Sequence, residues 1–233
     1  FSKLPAELQD ETTIQIKEKL KVRRSNIIDL ATRYYEHLIN LIVITGTNKD
    51  DFIEITRSDN ETKISVSRIK KGVIEKPYKN RIVSSSETDE IWVYALDHED
   101  HILVNGIGKK PIYTRIIGGQ NNDSYTIKNG RGIKVYDYKS KPNTIVEKGS
   151  AVFKFQDIYN NNIYDYTKQI TKVNSVIPYI GFNPDDGIQL KVKNSYTIKG
   201  FKNNPFYRKF VVDAGYYFAT QGLEVKFESM FTH

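Results

Sequence analysis

The chain has 233 residues, enough for one large domain or two small ones with a buried core. It contains no cysteine, which excludes disulfides and thiolate metal sites. No run approaches ~18 consecutive apolar residues, which excludes a transmembrane helix. The net charge of +7 is concentrated in residues 106–150, where lysines and arginines are interleaved with Tyr113, Tyr125, Tyr136 and Tyr138. No nucleic-acid reader motif accompanies them. The pattern is therefore expected to be the solvated face of alternating strands, with no nucleic-acid partner. Plentiful Tyr, Ile, Val and Thr favour β structure. No signal peptide is visible, and a first residue Phe1 in place of Met marks the chain as an expected processed or excised piece.

Residues 6–40 read as two helices. Leu8, Ile14, Ile16, Leu20 and Val22 form a partial apolar stripe after Pro5. Ser25 or Asn26 is placed to cap a second helix, in which Ile27, Leu30, Ala31, Tyr34 and Leu38 recur at helical spacing. A helical pair packed on a sheet is expected. The texture then turns to β. 41-LIVITG-46 is a short apolar strand, and 51-DFIEITRS-58 and 62-TKISVSRIKK-71 form a hairpin across 58-SDNE-61. 80-NRIVSS-85 adds a further strand.

The middle of the chain repeats itself. 90-EIWVYALDHEDHILVNG-106 aligns with 113-YTRIIGGQNNDSYTIKN-129 at a shift of 23 residues. Asp100 then falls on Asp123, Ile102 on Tyr125, Val104 on Ile127, and Leu96-Asp97 on Gly119-Gln120. A degraded third copy occupies 132–149. Each copy reads as strand, polar corner, strand and Asn/Gly turn, which predicts a short stack of β-coils. Further on, 174-NSVIPYIGFNPDDGIQL-190 holds Pro178, Pro184 and Gly187 and reads as a loop entering a strand. Three long alternating runs follow, 188–200, 208–220 and 223–230, the last two joined by a tight 221-QG-222 hairpin. Near ten residues each, they match tilted membrane strands and soluble amphipathic strands alike.

The candidate chemistry lies in aspartates. 118-GGQNNDSY-125 resembles one turn of a calcium-binding β-roll, with Asn121 where the third Gly would stand. Asn tolerates the left-handed conformation, so the turn survives. Calcium needs about six to eight oxygens, and Asp97, Asp100 and Asp123 are the candidate ligands. The alternative reading has the glycines and amides turning the chain while Asp123 bonds backbone N–H groups. His98 and His101 are expected on opposite faces or in a loop. Asp185-Asp186 in N-P-D-D-G read as a turn. No metalloprotease, nucleophile-elbow, P-loop or Rossmann fingerprint occurs.

Several stretches resemble one family. They are 19-KLKVRRSNIIDLATRYYEHL-38, 42-IVITGTNKDDFIEITR-57, 89-DEIWVYALDHEDHILVNG-106, 115-RIIGGQNNDSYTIKNG-130, 134-KVYDYKSKPNT-144, 183-NPDDGIQL-190 and 213-DAGYYFATQGLEVKFES-229. The resemblance is to large Gram-negative outer-membrane proteins. These couple a calcineurin-like metallophosphoesterase domain to a C-terminal β-barrel of the bacterial surface-antigen type. It covers the stretch between the two domains together with the first barrel strands. The family's dinuclear motifs (G-D-x-H, G-N-H, G-H-x-H) are missing from this chain, so an esterase domain, if the whole protein has one, lies before Phe1.

These readings predict an α+β, mainly β chain: a helical segment over 1–41, a β domain over 42–175, and amphipathic antiparallel strands over 176–233 that begin an outer-membrane barrel. The expected function is a non-catalytic connector between an upstream domain and the barrel. Its partners would be the lipid bilayer, the remaining barrel strands, the upstream domain and other envelope proteins. Residues 1–175 would face the periplasm. No cofactor is expected, calcium at Asp97, Asp100 and Asp123 being the open exception. The alternatives are a calcium-stabilised β-roll-like binding module and a hydrolase using Asp97, Asp100, Asp123 or Asp185.

Overall fold

A 3-10 turn over Ala6–Leu8 precedes a single helix, α1 (Glu11–Ile39). The computed structural model describes residues 3–8, 10–167, 172–201 and 206–232, so His233 lies outside the described residues. Asp10 caps α1 by accepting from the Thr13 amide at 2.8 Å. The expected second cap does not form. Ser25 lies within the helix and its hydroxyl donates to the Val22 carbonyl, and no Gly or Pro interrupts the run. Nor is α1 packed on a sheet along its length, since none of its residues is buried. At its C-terminal end, Thr88 Oγ1 donates to the Ile39 carbonyl, and the amides of Asp89 and Glu90 donate to that of Asn40. That satisfies carbonyls a helix end leaves free.

The chain divides into two compact units, Phe1–Ile158 and Tyr159–His233. In the first, β1 (Leu41–Thr45), β2 (Asp51–Arg57), β3 (Glu61–Lys70), β4 (Val73–Ile74), β5 (Lys79–Ser84), β6 (Glu90–Leu96), β7 (His101–Gly106), β8 (Tyr113–Gly119), β9 (Ser124–Ile127), β10 (Ile133–Asp137), β11 (Thr144–Glu147) and β12 (Val152–Phe155) form two sheets. One is all parallel, in the order β1-β6-β8-β10-β12. The other runs β11-β9-β7-β2-β3-β4, with β5 also on β3. The chain alternates between the two sheets, so β1–β2, β6–β7, β8–β9 and β10–β11 are successive coils of a solenoid, and β12 starts a fifth.

The 23-residue repeat is one coil of this stack. Asp100's neighbour Ile102 pairs with Tyr125, Val104 with Ile127, and Leu96 with Gly119. The first coil joins at a longer interval, Phe52 opposite His101, because the antiparallel excursion β3–β5 is inserted after β2. That excursion covers the outer edge of β2.

Side chains directed between the sheets stack coil upon coil. On one wall Ile44, Val93, Ile116, Val135 and Phe153 are in register. On the other, Ile55, Val104 and Ile127 are. Each buried aliphatic side chain of this kind contributes about 1.5–3 kcal/mol. Beyond β10 the filling is aromatic, with Tyr125 edge-on to Phe153 at 5.7 Å and Phe153 to Phe155 at 5.5 Å.

In the second unit a short helix α2 (Tyr159–Asn162) is followed by a four-stranded antiparallel meander: β13 (Lys172–Asn183), β14 (Gly187–Ile198), β15 (Arg208–Tyr217) and β16 (Gly222–Phe231). β13 corrects the expectation of a loop around Pro178. Pro178 pairs opposite Val192, and a proline fits an edge strand whose amide side needs no partner. The expected segment boundary at 176 therefore falls inside β13. The last hairpin is also looser than expected: β15 ends at Tyr217 and residues 218–221 form the turn, with Gln221 at φ 51°.

Arg57, at the end of β2, holds three coils together. Its guanidinium is buried and donates to the backbone carbonyls of Asn129 and Arg131, the latter at 2.6 Å. Burial pushes its pKa down. Arg57→Ala is expected to destabilise the solenoid by about 2–3 kcal/mol, because charge-assisted bonds are lost and two carbonyls are left dry. Urea unfolding of the variant against the parent measures it.

Candidate functional site: a carboxylate column at the solenoid corner

Every coil turns from one sheet to the other through a polar corner, and the residue at the entrance to the second strand occupies the same place each time. These residues are Asp51, Asp100, Asp123 and Asn143, as the pairing of Phe52, His101, Ser124 and Thr144 requires. They form a column. The Asp51 amide donates to Asp100 Oδ1 (2.7 Å), the Asp100 amide to Asp123 Oδ1 (2.9 Å), and the Asp123 amide to Asn143 Oδ1 (2.7 Å). Asn143 Nδ2 closes the end on the Tyr138 carbonyl at 3.1 Å. At the other end Asp51 Oδ2 accepts from the amide and hydroxyl of Thr47, both at 2.7 Å, and Arg68 stands 3.7 Å from Oδ1.

The corner backbone explains the glycine pair. Gly119 has φ 104°, and its coil neighbour Leu96 has φ 90° without being glycine. One step on, Asn121 (φ 71°) lies over His98 (φ 75°). Asn121 thus holds the left-handed position expected of it. A side chain on Gly119 would strike the Leu96 carbonyl, whereas Gly118 is needed for a different reason. A methyl there would overlap Asp123 Oδ2, Asp137 Oδ2 and the Tyr125 hydroxyl at once. Those three oxygens meet inside the coil over the bare Gly118 Cα. Tyr125 donates to Asp137 Oδ2 at 2.6 Å, and the Tyr138 amide donates to Asp137 Oδ1 at 2.6 Å.

The interior therefore contains Asp100, Asp123 and Asp137, all at 1 % exposure or less. Asp100 Oδ2 and Asp123 Oδ2 have no hydrogen-bond partner among the described residues. Burial, then the Asp123 charge, pushes the Asp100 carboxyl up to about 10. Burial also raises Asp123, with Asp137 adding to it, and burial raises Asp137 against the opposing pull of its hydrogen bonds. The Tyr125 phenol is pushed well above its ordinary value by burial and by Asp137.

The structure brings together two of the three expected ligands and parts them from the third. Asp97 lies half-buried at the outer corner, where its Oδ1 accepts from the His98 amide (2.9 Å) and Asn121 Nδ2 (2.8 Å). Asp100 and Asp123 each commit one oxygen to a backbone amide, as the turn-forming reading requires. Among the described residues no three His, Asp or Glu side chains converge as a metal cage. His101 is exposed on β7, and His98 lies 3.7 Å from Asp50. Asp185 and Asp186 form the β13–β14 turn, where Asn183 Oδ1 accepts from the Asp185 amide and Asn183 Nδ2 donates to Asp186. For a hydrolase, Asp100 and Asp123 offer no cleft, since neither reaches solvent.

Sequence reasoning missed Asp51, Asp137 and Asn143. Asp51 is displaced in phase by the β3–β5 insertion, and Asn143 lies in the degraded copy. Asp137 aligns with Gly118, not with any aspartate, so only three-dimensional stacking connects it to Asp123. No family model, curated protein or solved structure matches the chain.

Two substitutions test the interior contact. Gly118→Ala is expected to cost about 2–3 kcal/mol, by forcing a methyl among three oxygens. Tyr125→Phe is expected to cost about 1–3 kcal/mol by leaving Asp137 Oδ2 without its donor. Both are read from denaturant midpoints.

Proposed function

We propose that the chain is a non-catalytic connector that joins an upstream domain to an outer-membrane β-barrel, of which β13–β16 are the first strands. The observation that carries the reading is the sidedness of that sheet. Residues paired across it share a face. One face carries, row by row, Phe182 and Ile188; Ile180, Leu190, Tyr216 and Leu223; Pro178, Val192, Ala214 and Val225; and Val176, Asn194, Val212 and Phe227. This face is open to solvent: Leu223 is 76 % exposed and Phe227 65 %.

The opposite face is mostly polar and pairs with itself, both across strands and, for Lys226 and Glu224, along β16. Lys191 (3.4 Å) and Lys226 (2.7 Å) both bind Glu224, Tyr217 donates to Glu224, and Tyr179 donates to Asp213 at 3.4 Å. Val173, Ile177, Val211 and Met230 are its apolar exceptions. Strands of 10 to 12 residues at about 3.3 Å per residue, tilted by about 45°, cross roughly the 25 Å apolar band of an outer-membrane barrel. An apolar face turned to lipid and a polar, internally paired face turned to a lumen is the arrangement such barrels require.

Four strands do not close a barrel, the smallest having about eight, so further strands are the partners of the two open edges. The likeness to the linker region of metallophosphoesterase–barrel proteins supports the same reading and supplies its orientation, with residues 1–175 in the periplasm. The solenoid then lies in the chain between the upstream domain and the barrel strands.

The test is insertion. Val192→Arg puts a cation at mid-height on the apolar face, where it costs about 2–4 kcal/mol in lipid. The full-length variant is expected to be lost from the outer-membrane fraction, while Lys193→Gln on the polar face stays in it. Equal membrane recovery of Val192→Arg and the parent would sink the reading.

A further inference from the structure

We propose that the solenoid corner is a proton-binding site: Asp123 and Asp137 share a proton over Gly118, Asp100 carries another, and their loss opens the corner. The geometry carries this. Oδ1 of Asp100 and of Asp123 is occupied by a backbone amide, and Oδ2 of each is buried with nothing to donate to it. A carboxylate only accepts, so ionised groups here would lie unpaired in an apolar interior, at a cost of several kcal/mol each. Protonation removes the buried charge, and on Asp123 the O–H is also a donor that Asp137 faces. On Asp123 the proton lies between Asp123 Oδ2 and Asp137 Oδ2, which the missing Gly118 side chain allows to approach.

The titratable groups that face these carboxyls offer no compensating charge. Around Asp100 they are Asp50, Asp51 and Asp123; around Asp123, Glu99, Asp100 and Asp137; around Asp137, Tyr125 and Asp123, with the Asn143 amide beside it. Arg68 pairs with Asp51 at the end of the column. The fourth coil shows what the neutral form looks like. Asn143 fills the same position, accepts the same amide through Oδ1, and donates through Nδ2 to the Tyr138 carbonyl. An amide is the permanent analogue of the protonated acid.

The sign of the linkage follows. All three carboxyls titrate above their ordinary values in the folded chain, with Asp100 at about 10. Between about pH 4 and that value the folded chain holds more protons than the unfolded one, so its stability is greatest at the acid end and falls as pH rises. In a periplasmic setting, acidification would tighten the corner.

The experiment uses the intact chain. Infrared spectroscopy at pH 7 is expected to show the carbonyl band of buried protonated carboxylic acids, and the melting temperature is expected to drop by about 5 °C between pH 6 and pH 9. Asp100→Asn combined with Asp123→Asn is expected to remove most of the band and flatten the pH dependence, with the variant more stable than the parent at pH 9. Absence of the band in the parent overturns the proposal even if the variant fails to fold. So does a melting temperature unchanged from pH 6 to 9. A rise on adding calcium at pH 9, reversed by EDTA, overturns it in favour of a cation on the same oxygens.

Discussion

The corner column is the constraint on which the solenoid depends. Where a coil leaves one sheet for the other, the amide that opens the second strand points along the stack and not across a ladder. Successive strands are about 4.8 Å apart, a gap that a side chain one methylene long spans with its carboxyl or amide oxygen. Asp51, Asp100, Asp123 and Asn143 each present that length, and three consecutive amides are satisfied in this way. The bond runs from one coil to the next, so it fixes register as well as closing the turn. A slip by one residue would leave the amide dry and put an aspartate among isoleucines.

This solution has a cost that shapes the rest of the interior. In the middle of the column, Asp100 and Asp123 each use one oxygen and strand the other. Asn would strand nothing, yet three of the four positions are Asp. Gly118 follows from that choice, because the room for Asp123 and Asp137 to meet exists only where a side chain is missing. So does Tyr125, whose hydroxyl donates to Asp137 Oδ2 inside the coil. Glycine, tyrosine and two aspartates thus form one packing unit, although they come from two coils and from opposite walls.

How much of this was legible depended on equal spacing. The coils at 90–106 and 113–129 have the same length, so Asp100 and Asp123 aligned by counting alone, and the pairing of Ile102 with Tyr125 followed. The first coil is the same object, but the β3–β5 insertion moves it out of period. The fourth has a longer corner, residues 138–143 where the third has 120–123. Asp137 was out of reach because its partner in the stack is a glycine. Ser25 and Asn26 are good caps and so predict two helices, but caps matter only where the backbone stops. Nothing in 22–28 stops it. Pro178 predicts a loop for a similar reason: proline breaks a strand by its missing amide, and on an edge that amide has no partner to lose.

The two units use the same alternating pattern for opposite ends. In the solenoid the apolar phase points inward, because a second sheet lies about 10 Å away to receive it. The outward phase of the parallel sheet buries Trp92, Tyr94, Ile117 and Tyr136, and Trp92 and Arg115 both donate to Glu90. In β13–β16 the apolar phase points outward, and it is the polar phase that is knit together, with Lys191, Lys226 and Tyr217 converging on Glu224. Alternation alone cannot separate these cases, since either phase satisfies it. What separates them is whether a second sheet receives the apolar phase: in the solenoid one does, and in β13–β16 that phase is exposed. A polar face facing bulk water gains little from internal pairing, because water competes for every bond. A polar face enclosed in a narrow lumen gains more, while its apolar counterpart requires a medium that forms no hydrogen bonds. The proposed barrel reading rests on that difference: the apolar phase of β13–β16 is exposed while its polar phase is paired.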